Sequence, residues 1–247
     1  MPLGKVRIVL VETTHPGNIG AAARAMRTMG LCHLYLVNPK RFPCAEATAM
    51  ASGADKLLAQ AKVCTSLAQA ITGCQKVFGL SARSRSISWP VLNTRDSGVL
   101  VVQEALRGGE VAIVFGRENS GLSNLELDRC NYWVHIPSNP TYSSLNLAAA
   151  VQVMAYEVRM ASMMDDSRHS AESPSASIGE IEGFFRHLEQ TLIKIDFLNS
   201  SNPKLLMRRL RCLFFRAHLN VREINILRGI LTAVQKKAQI PEAAMKK

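Results

Sequence analysis

The chain has none of the signatures by which nucleotide- and metal-dependent proteins usually announce themselves. There is no G-x-x-x-x-G-K-[ST] phosphate loop. Behind the first apolar run, Gly17 and Gly20 give only G-x-x-G, short of the G-x-G-x-x-G that closes a dinucleotide-binding turn. A Rossmann dinucleotide site or an ordinary Rossmann methyltransferase site is therefore not indicated. The six cysteines (Cys32, Cys44, Cys64, Cys74, Cys130 and Cys212) form no C-x-x-C pair, and no histidine lies at ligand spacing from them. No metal is expected on that pattern. Most of these cysteines lie in apolar stretches, where a free thiol packs as a small hydrophobe, so a reducing, cytoplasmic compartment is expected. Long hydrophobic runs are also missing. The apolar run before Glu12 is too short for a signal peptide or a membrane span, and no other run reaches spanning length.

Acidic residues are scarce where basic ones are dense. The 247 residues carry a net charge of +11. Residues 1–160 contribute +6, residues 161–200 contribute −4, and residues 201–247 contribute +9, with eleven Lys/Arg against two Asp/Glu. A surplus of that size over the last fifth of the chain draws a polyanion, either nucleic acid or an acidic membrane surface. The alternative is a solvated helix face that keeps the chain soluble. A hydrophobic content of 47 % provides for a core.

Short, β-branched apolar runs at Val6–Val11, Leu34–Val37, Val77–Leu80, Val111–Phe115 and Tyr132–Ile136 read as strands buried on both faces, as in a parallel sheet. Helical patterns at Ile19–Gly30, Leu67–Thr72, Gly98–Leu106 and Leu125–Cys130 alternate with them, which predicts an α/β fold. Leu145–Met164, without Gly or Pro, reads as a long, mostly buried helix. A polar, serine-rich stretch broken by Pro174 follows and reads as a linker over 165–177. It separates a domain at 1–164 from a small all-α domain at 178–247. There Ile181, Phe184, Phe185, Leu188, Leu192 and Ile195 mark one helix, Leu205–Phe215 a basic second and Ile224–Val234 a third.

Three segments at strand ends combine polar groups with turn residues. The first is H-P-G-N-I-G-A-A-A-R-A-M-R from His15 to Arg27, in which Asn18 suits a helix N-cap and Arg24 and Arg27 fall three residues apart. The second is V-F-G-R-E-N-S-G-L from Val114, an apolar strand running into a two-glycine turn, the kind of place where α/β proteins bind ligands. The third is I-P-S-N-P-T-Y-S-S-L-N-L-A from Ile136, where Ser143 or Ser144 suits an N-cap. Asn146 opens an otherwise apolar helix and needs a polar partner.

N-I-G-A-A-A-R-A-M, F-G-R-E-N-S-G-L and Y-S-S-L-N-L-A-A-A-V-Q-V, in this order and each behind a strand, resemble motifs one to three of the SPOUT methyltransferases, in the TrmH-like 2′-O-ribose branch. The resemblance spans the N-terminal domain and extends less fully to the helical one. It implies a parallel-sheet domain whose carboxyl end is a trefoil knot, an exception to unthreaded chains. It implies S-adenosylmethionine bound there by Leu80, Ser81, Ala82, Gly116, Ile136, Ser143, Ser144 and Leu145. Leu80 departs from the family's Thr-Ser-Ala-Arg, so one hydroxyl contact, on the order of 1 kcal/mol, is missing. The implied catalytic set is Arg24, Asn18, Glu118, Ser144 and Asn146. Arg24 acts as a cation on the developing alkoxide or on a phosphate, because guanidinium hardly deprotonates. Arg27, Arg83, Arg85, Arg208, Arg209 and Arg211 are implied phosphate contacts. The implied partners are tRNA and a second copy of the chain, packed through the knot region, with no membrane. Within the branch, the helical extension is most similar to enzymes that methylate cytidine or uridine at nucleotide 32 of the anticodon loop. The same chemistry on another tRNA position or on ribosomal RNA, and a non-catalytic RNA binder, are the alternatives. The intact Arg24, Glu118 and Ser144-Leu145-Asn146 speak against the last.

Overall fold

A computed structural model describes residues 2–82, 91–164, 176–199, 204–217 and 219–238. The chain divides into two compact units, Met1–Ala171 and Glu172–Lys247. Among the described residues no helix is long and apolar enough to cross a membrane.

The first unit is built on one seven-stranded, wholly parallel sheet. Its strands are β1 (Val6–Val11), β2 (His33–Val37), β3 (Lys62–Cys64), β4 (Lys76–Leu80), β5 (Val91–Asn93), β6 (Val111–Phe115) and β7 (Tyr132–His135). The spatial order is β3-β2-β1-β6-β4-β7-β5. β1 pairs with both β2 and β6, with Ile8 opposite Leu34 on one side and Ile113 on the other. Every residue of β6 is buried, as are five of the six in β1. That is why these strands read as unbroken apolar runs and not as alternating ones. The helices of this unit are α1 (Pro16–Thr28), α2 (Ala45–Ala51), α3 (Asp55–Ala59), α4 (Leu67–Ala70), α5 (Thr94–Leu106), α6 (Asn124–Leu127) and α7 (Leu147–Met164). The core joins the strands to Ile19, Ala22, Ala23 and Met26 of α1 and to Val151, Met154, Ala155 and Val158 of α7. Gly20 lets α1 and α2 touch: a Cβ there would lie 2.0 Å from the Ala47 carbonyl oxygen.

Five of the seven strands follow the apolar runs. β3 and β5 do not, because each is three residues long and mostly exposed at an edge of the sheet. Two helix starts also differ from expectation. α1 begins at Pro16, with His15 as N-cap; proline suits that first position because its missing N–H needs no partner. α7 begins at Leu147, with Asn146 as its cap: Asn146 Oδ1 accepts from Ala148 N at 2.9 Å and Ala149 N at 3.4 Å. Neither Ser143 nor Ser144 caps it. The threading implied at this end of the sheet takes in 83–90 and falls partly outside the described residues.

The second unit contains α8 (Ile178–Lys194), α9 (Lys204–Arg216) and α10 (Val221–Lys237). Capping boxes open two of them, Ser177 with Glu180 and Asn220 with Glu223. Phe184, Phe185, Phe214 and Phe215 form its aromatic core, with ring centroids 4.9 to 6.2 Å apart. The buried Thr191 is not orphaned, since Gln235 Nε2 donates to its hydroxyl at 2.7 Å. Of the expected linker, residues 165–175 lie outside the described residues.

Candidate active site at the carboxyl end of the sheet

β4, β6 and β7 end side by side, and a cavity of about 230 Å³ opens where they stop. Leu80, Ser81, Ala82, Gly116, Ile136, Ser143, Ser144 and Leu145 all line it, so the eight residues implied for a cofactor border one cavity. Phe115, Val134 and Leu147 add an apolar floor, and Arg117 through Leu122 form one side. The turn at that side is tight. Arg117 and Gly121 exchange backbone hydrogen bonds at 3.2 and 2.9 Å. A Cβ on Gly116 would lie 2.1 Å from the Gly121 carbonyl carbon, so only glycine fits there.

Beside the cavity, the three motifs are tied by one directional chain of hydrogen bonds. Glu118 accepts from Thr14 N at 3.1 Å, Thr14 Oγ1 at 2.9 Å, His15 N at 3.2 Å and Asn18 Nδ2 at 3.1 Å. Asn18 Oδ1 in turn accepts from Asn146 Nδ2 at 3.0 Å. Asn146 Oδ1 takes the free N–H groups of α7. The ends dictate the orientation of both amides. A carboxylate can only accept, so Asn18 must turn its NH₂ toward Glu118. A helix N-terminus can only donate, so Asn146 must turn its oxygen toward α7. Asn18 is the third residue of α1 and not its cap, and its partner answers the question posed by Asn146.

Burial alone would raise the Glu118 carboxyl. The donors from Thr14, Asn18, the backbone of Glu118 itself and His15 outweigh it and bring the group down to about 2. Glu118 is therefore a fixed anion at neutral pH and no proton donor. Its neighbour Arg117 points the other way. Arg117 Nε donates to Glu12 at 2.8 Å, and its two terminal nitrogens grip Glu126 at 2.9 and 3.0 Å. The pairing with Arg117 lowers Glu12; at Glu126 burial acts upward but is overcome by Arg117 and Ser123. Two consecutive side chains thus both hold the loop between β1 and α1. Glu12 has no local sequence signal for this role. Glu126 does, because Ser123-x-x-Glu126 is a capping box.

The remaining candidates are placed unequally. Ser144 is exposed on the cavity wall. Arg24 is exposed on α1, and six residues at about 100° each put it a third of a turn away from Asn18. It does not line the cavity, and no described residue bonds its guanidinium. Arg27 donates to the Gly53 carbonyl and is engaged within the unit. In the helical unit, Arg211 is committed to Glu182 through both terminal nitrogens, at 2.6 and 2.9 Å, and stacks 4.4 Å from the Phe185 ring centroid. It is a clamp between helices and not a free phosphate contact. Arg208 is half-buried, Arg209 is exposed, and Arg83 and Arg85 lie outside the described residues.

Residues 5–156 match the model of the SpoU rRNA Methylase family, and residues 179–243 match that of the tRNA methyltransferase TrmJ, C-terminal domain. The chain is 49 % identical to the tRNA (cytidine/uridine/adenosine-2′-O-)-methyltransferase TrmJ of Pseudomonas aeruginosa, over 96 % of each chain. It is 51 % identical to the tRNA (cytidine/uridine-2′-O-)-methyltransferase TrmJ of Pectobacterium atrosepticum, over 95 % of this chain and 98 % of that one. The crystal structure of TrmJ from Z. mobilis ZM4 superposes with a TM-score of 0.80 at 34 % identity, covering 93 % of this chain and 98 % of the other.

Proposed function

The chain belongs to the SpoU rRNA Methylase family and ends in a TrmJ-type domain, and from that premise we propose that it transfers a methyl group from S-adenosylmethionine to a ribose 2′-hydroxyl of tRNA, at a cytidine or uridine in position 32 of the anticodon loop. The observation that carries this reading is the single cavity that gathers the eight expected cofactor residues next to the Glu118–Asn18–Asn146 chain.

The residues present suit the cofactor. Leu80, Phe115, Val134 and Ile136 supply apolar surface for an adenosyl group, and the close turn at Gly116 lets backbone reach it. Leu80 takes the place of a hydroxyl with a hydrophobic wall. When bound, S-adenosylmethionine supplies a methyl group already activated on a sulfonium. The protein's task is to position the ribose and stabilise the charge that grows on its oxygen. Ser144 and Asn18 orient the ribose. Glu118 and Asn146 hold Asn18 in one amide orientation. Arg24 provides the cation for the alkoxide or for an adjacent phosphate.

Arg24 stands a third of a turn from Asn18 on α1 and does not line the cavity of its own chain, which supports a homodimer in which one subunit's Arg24 serves the other's cavity. The exposed arginines of the helical unit hold the RNA through its phosphates. The enzyme works in the cytoplasm on this reading. The test is methyl transfer from labelled S-adenosylmethionine to full-length tRNA and to ribosomal RNA, with nuclease mapping. Labelled 2′-O-methylcytidine or 2′-O-methyluridine at position 32 is expected. Label in ribosomal RNA would keep the chemistry and discard the substrate.

A further inference from the structure

Tyr142 is 81 % exposed, and it directly precedes Ser143, Ser144 and Leu145, three consecutive residues of the cavity wall. The turn that carries it is closed at several points. Thr141 donates to Asn139 Oδ1 through its N–H at 3.0 Å and through its hydroxyl at 2.8 Å. Tyr142 N–H donates to the Asn139 carbonyl at 2.9 Å. Ser138 Oγ donates to the Ser143 carbonyl at 3.2 Å, tying the base of the loop. Pro140 fixes one more backbone angle within it. A turn ordered in this way has already lost the freedom that binding would otherwise cost it. The side chain it thrusts into water is a flat aromatic ring. The exposed residues that line the cavity, Asn119, Ser120 and Ser144, are polar. A single exposed ring is no extended apolar patch for a protein partner, but it suits a single flat ligand.

On the reading proposed above, on which this inference rests, a ribose 2′-oxygen must enter the cavity mouth. A loop nucleotide reaches such a place only when it is splayed out of its stack, and a base face then loses its neighbour. We infer that Tyr142 is the stacking platform for an unstacked RNA base at the cavity mouth. Every base offers a π-face, so the platform holds the nucleotide without reading its hydrogen-bonding edge. Choice of base then falls to other groups.

The experiment uses the full chain with Tyr142→Ala, Tyr142→Leu, Tyr142→Phe and Tyr142→Trp. For each, S-adenosylmethionine affinity, oligomeric state, and KM and kcat for a tRNA transcript are measured. Ala and Leu are expected to lower kcat/KM for tRNA by about ten- to a hundredfold, and Phe and Trp by no more than about threefold. Cofactor affinity and oligomeric state should be the same in all four. Leucine keeps an apolar contact but cannot stack, so a Leu variant equal to the unsubstituted chain would overturn the inference. So would an Ala variant whose oligomeric state has changed, which would make Tyr142 a contact between proteins. Should the unsubstituted chain methylate no tRNA, the functional reading fails instead. Fluorescence of 2-aminopurine placed in the anticodon loop, compared between the Leu and Phe variants, then still decides whether a base stacks on this ring.

Discussion

Around the cavity of the α/β unit, polar side chains are bound to one another: Glu118 to Thr14 and Asn18, Asn18 to Asn146, and Arg117 to Glu12 and Glu126, with the His15 backbone N–H also donating to Glu118. In the helical unit, Arg209, Arg216, Arg222 and Arg228 stand exposed, and their guanidinium groups make no hydrogen bond or ion pair among the described residues. On the proposed function, the contrast follows from what each region would handle. Transfer to one oxygen demands groups fixed to within a fraction of an ångström, and mutual hydrogen bonding fixes them. A phosphate backbone offers a repeating charge, which mobile, unpaired cations meet at little desolvation cost. Arg24 breaks the pattern on the first side, being a free cation in the ordered unit. Arg211 breaks it on the second, being a bound cation in the basic one.

These exceptions give the sharpest tests. Arg24→Ala should lower kcat by about a hundred- to a thousandfold, the cost of losing one oxyanion-stabilising group, with cofactor affinity unchanged by calorimetry. Replacing Arg209, Arg216, Arg222 and Arg228 together with Gln should weaken tRNA binding by roughly ten- to a hundredfold. It should also flatten the logarithmic salt dependence by about one unit for each phosphate left without its arginine. Arg211→Gln should leave that salt slope unchanged and instead lower the melting temperature of the helical unit, because it strips Glu182 of its partner and Phe185 of its cation. The smallest effect is that of acid. Glu118 titrates at about 2, below its unfolded value of about 4.5. Its stabilisation is therefore complete above about 4.5 and is lost as pH falls from there through about 2. The difference in melting temperature between the unsubstituted chain and Glu118→Gln should shrink over that window and stay constant from about pH 5 to 8.

The sequence made the central strands plain, because strands buried on both faces must be written in Val, Ile, Leu and Ala. It concealed β3 and β5, whose edge positions impose no such pattern. The cavity was legible through three motifs at strand ends. How they join was not, since Asn18, Glu118 and Asn146 are far apart along the chain and each has a plausible local role. The N-cap reading failed for Asn18, because α1 already begins at Pro16, and it failed for Ser143 and Ser144, because the α7 cap falls on Asn146, which the sequence marked only as a polar residue in need of a partner. The arginines were hardest of all. Composition counts Arg209 and Arg211 alike, and only packing against Glu182 and Phe185 separates them.

The most direct test of the hydrogen-bonded chain as a single device is a double-mutant cycle on Asn18→Ala and Glu118→Ala, read by the single-turnover rate of methyl transfer to tRNA at saturating cofactor. Because Asn18 is oriented through Glu118, the double variant should be no slower than the slower single variant, a coupling of about 1 kcal/mol or more. Rate losses that simply multiply, with cofactor affinity intact in all three variants, would contradict it and make the two residues independent.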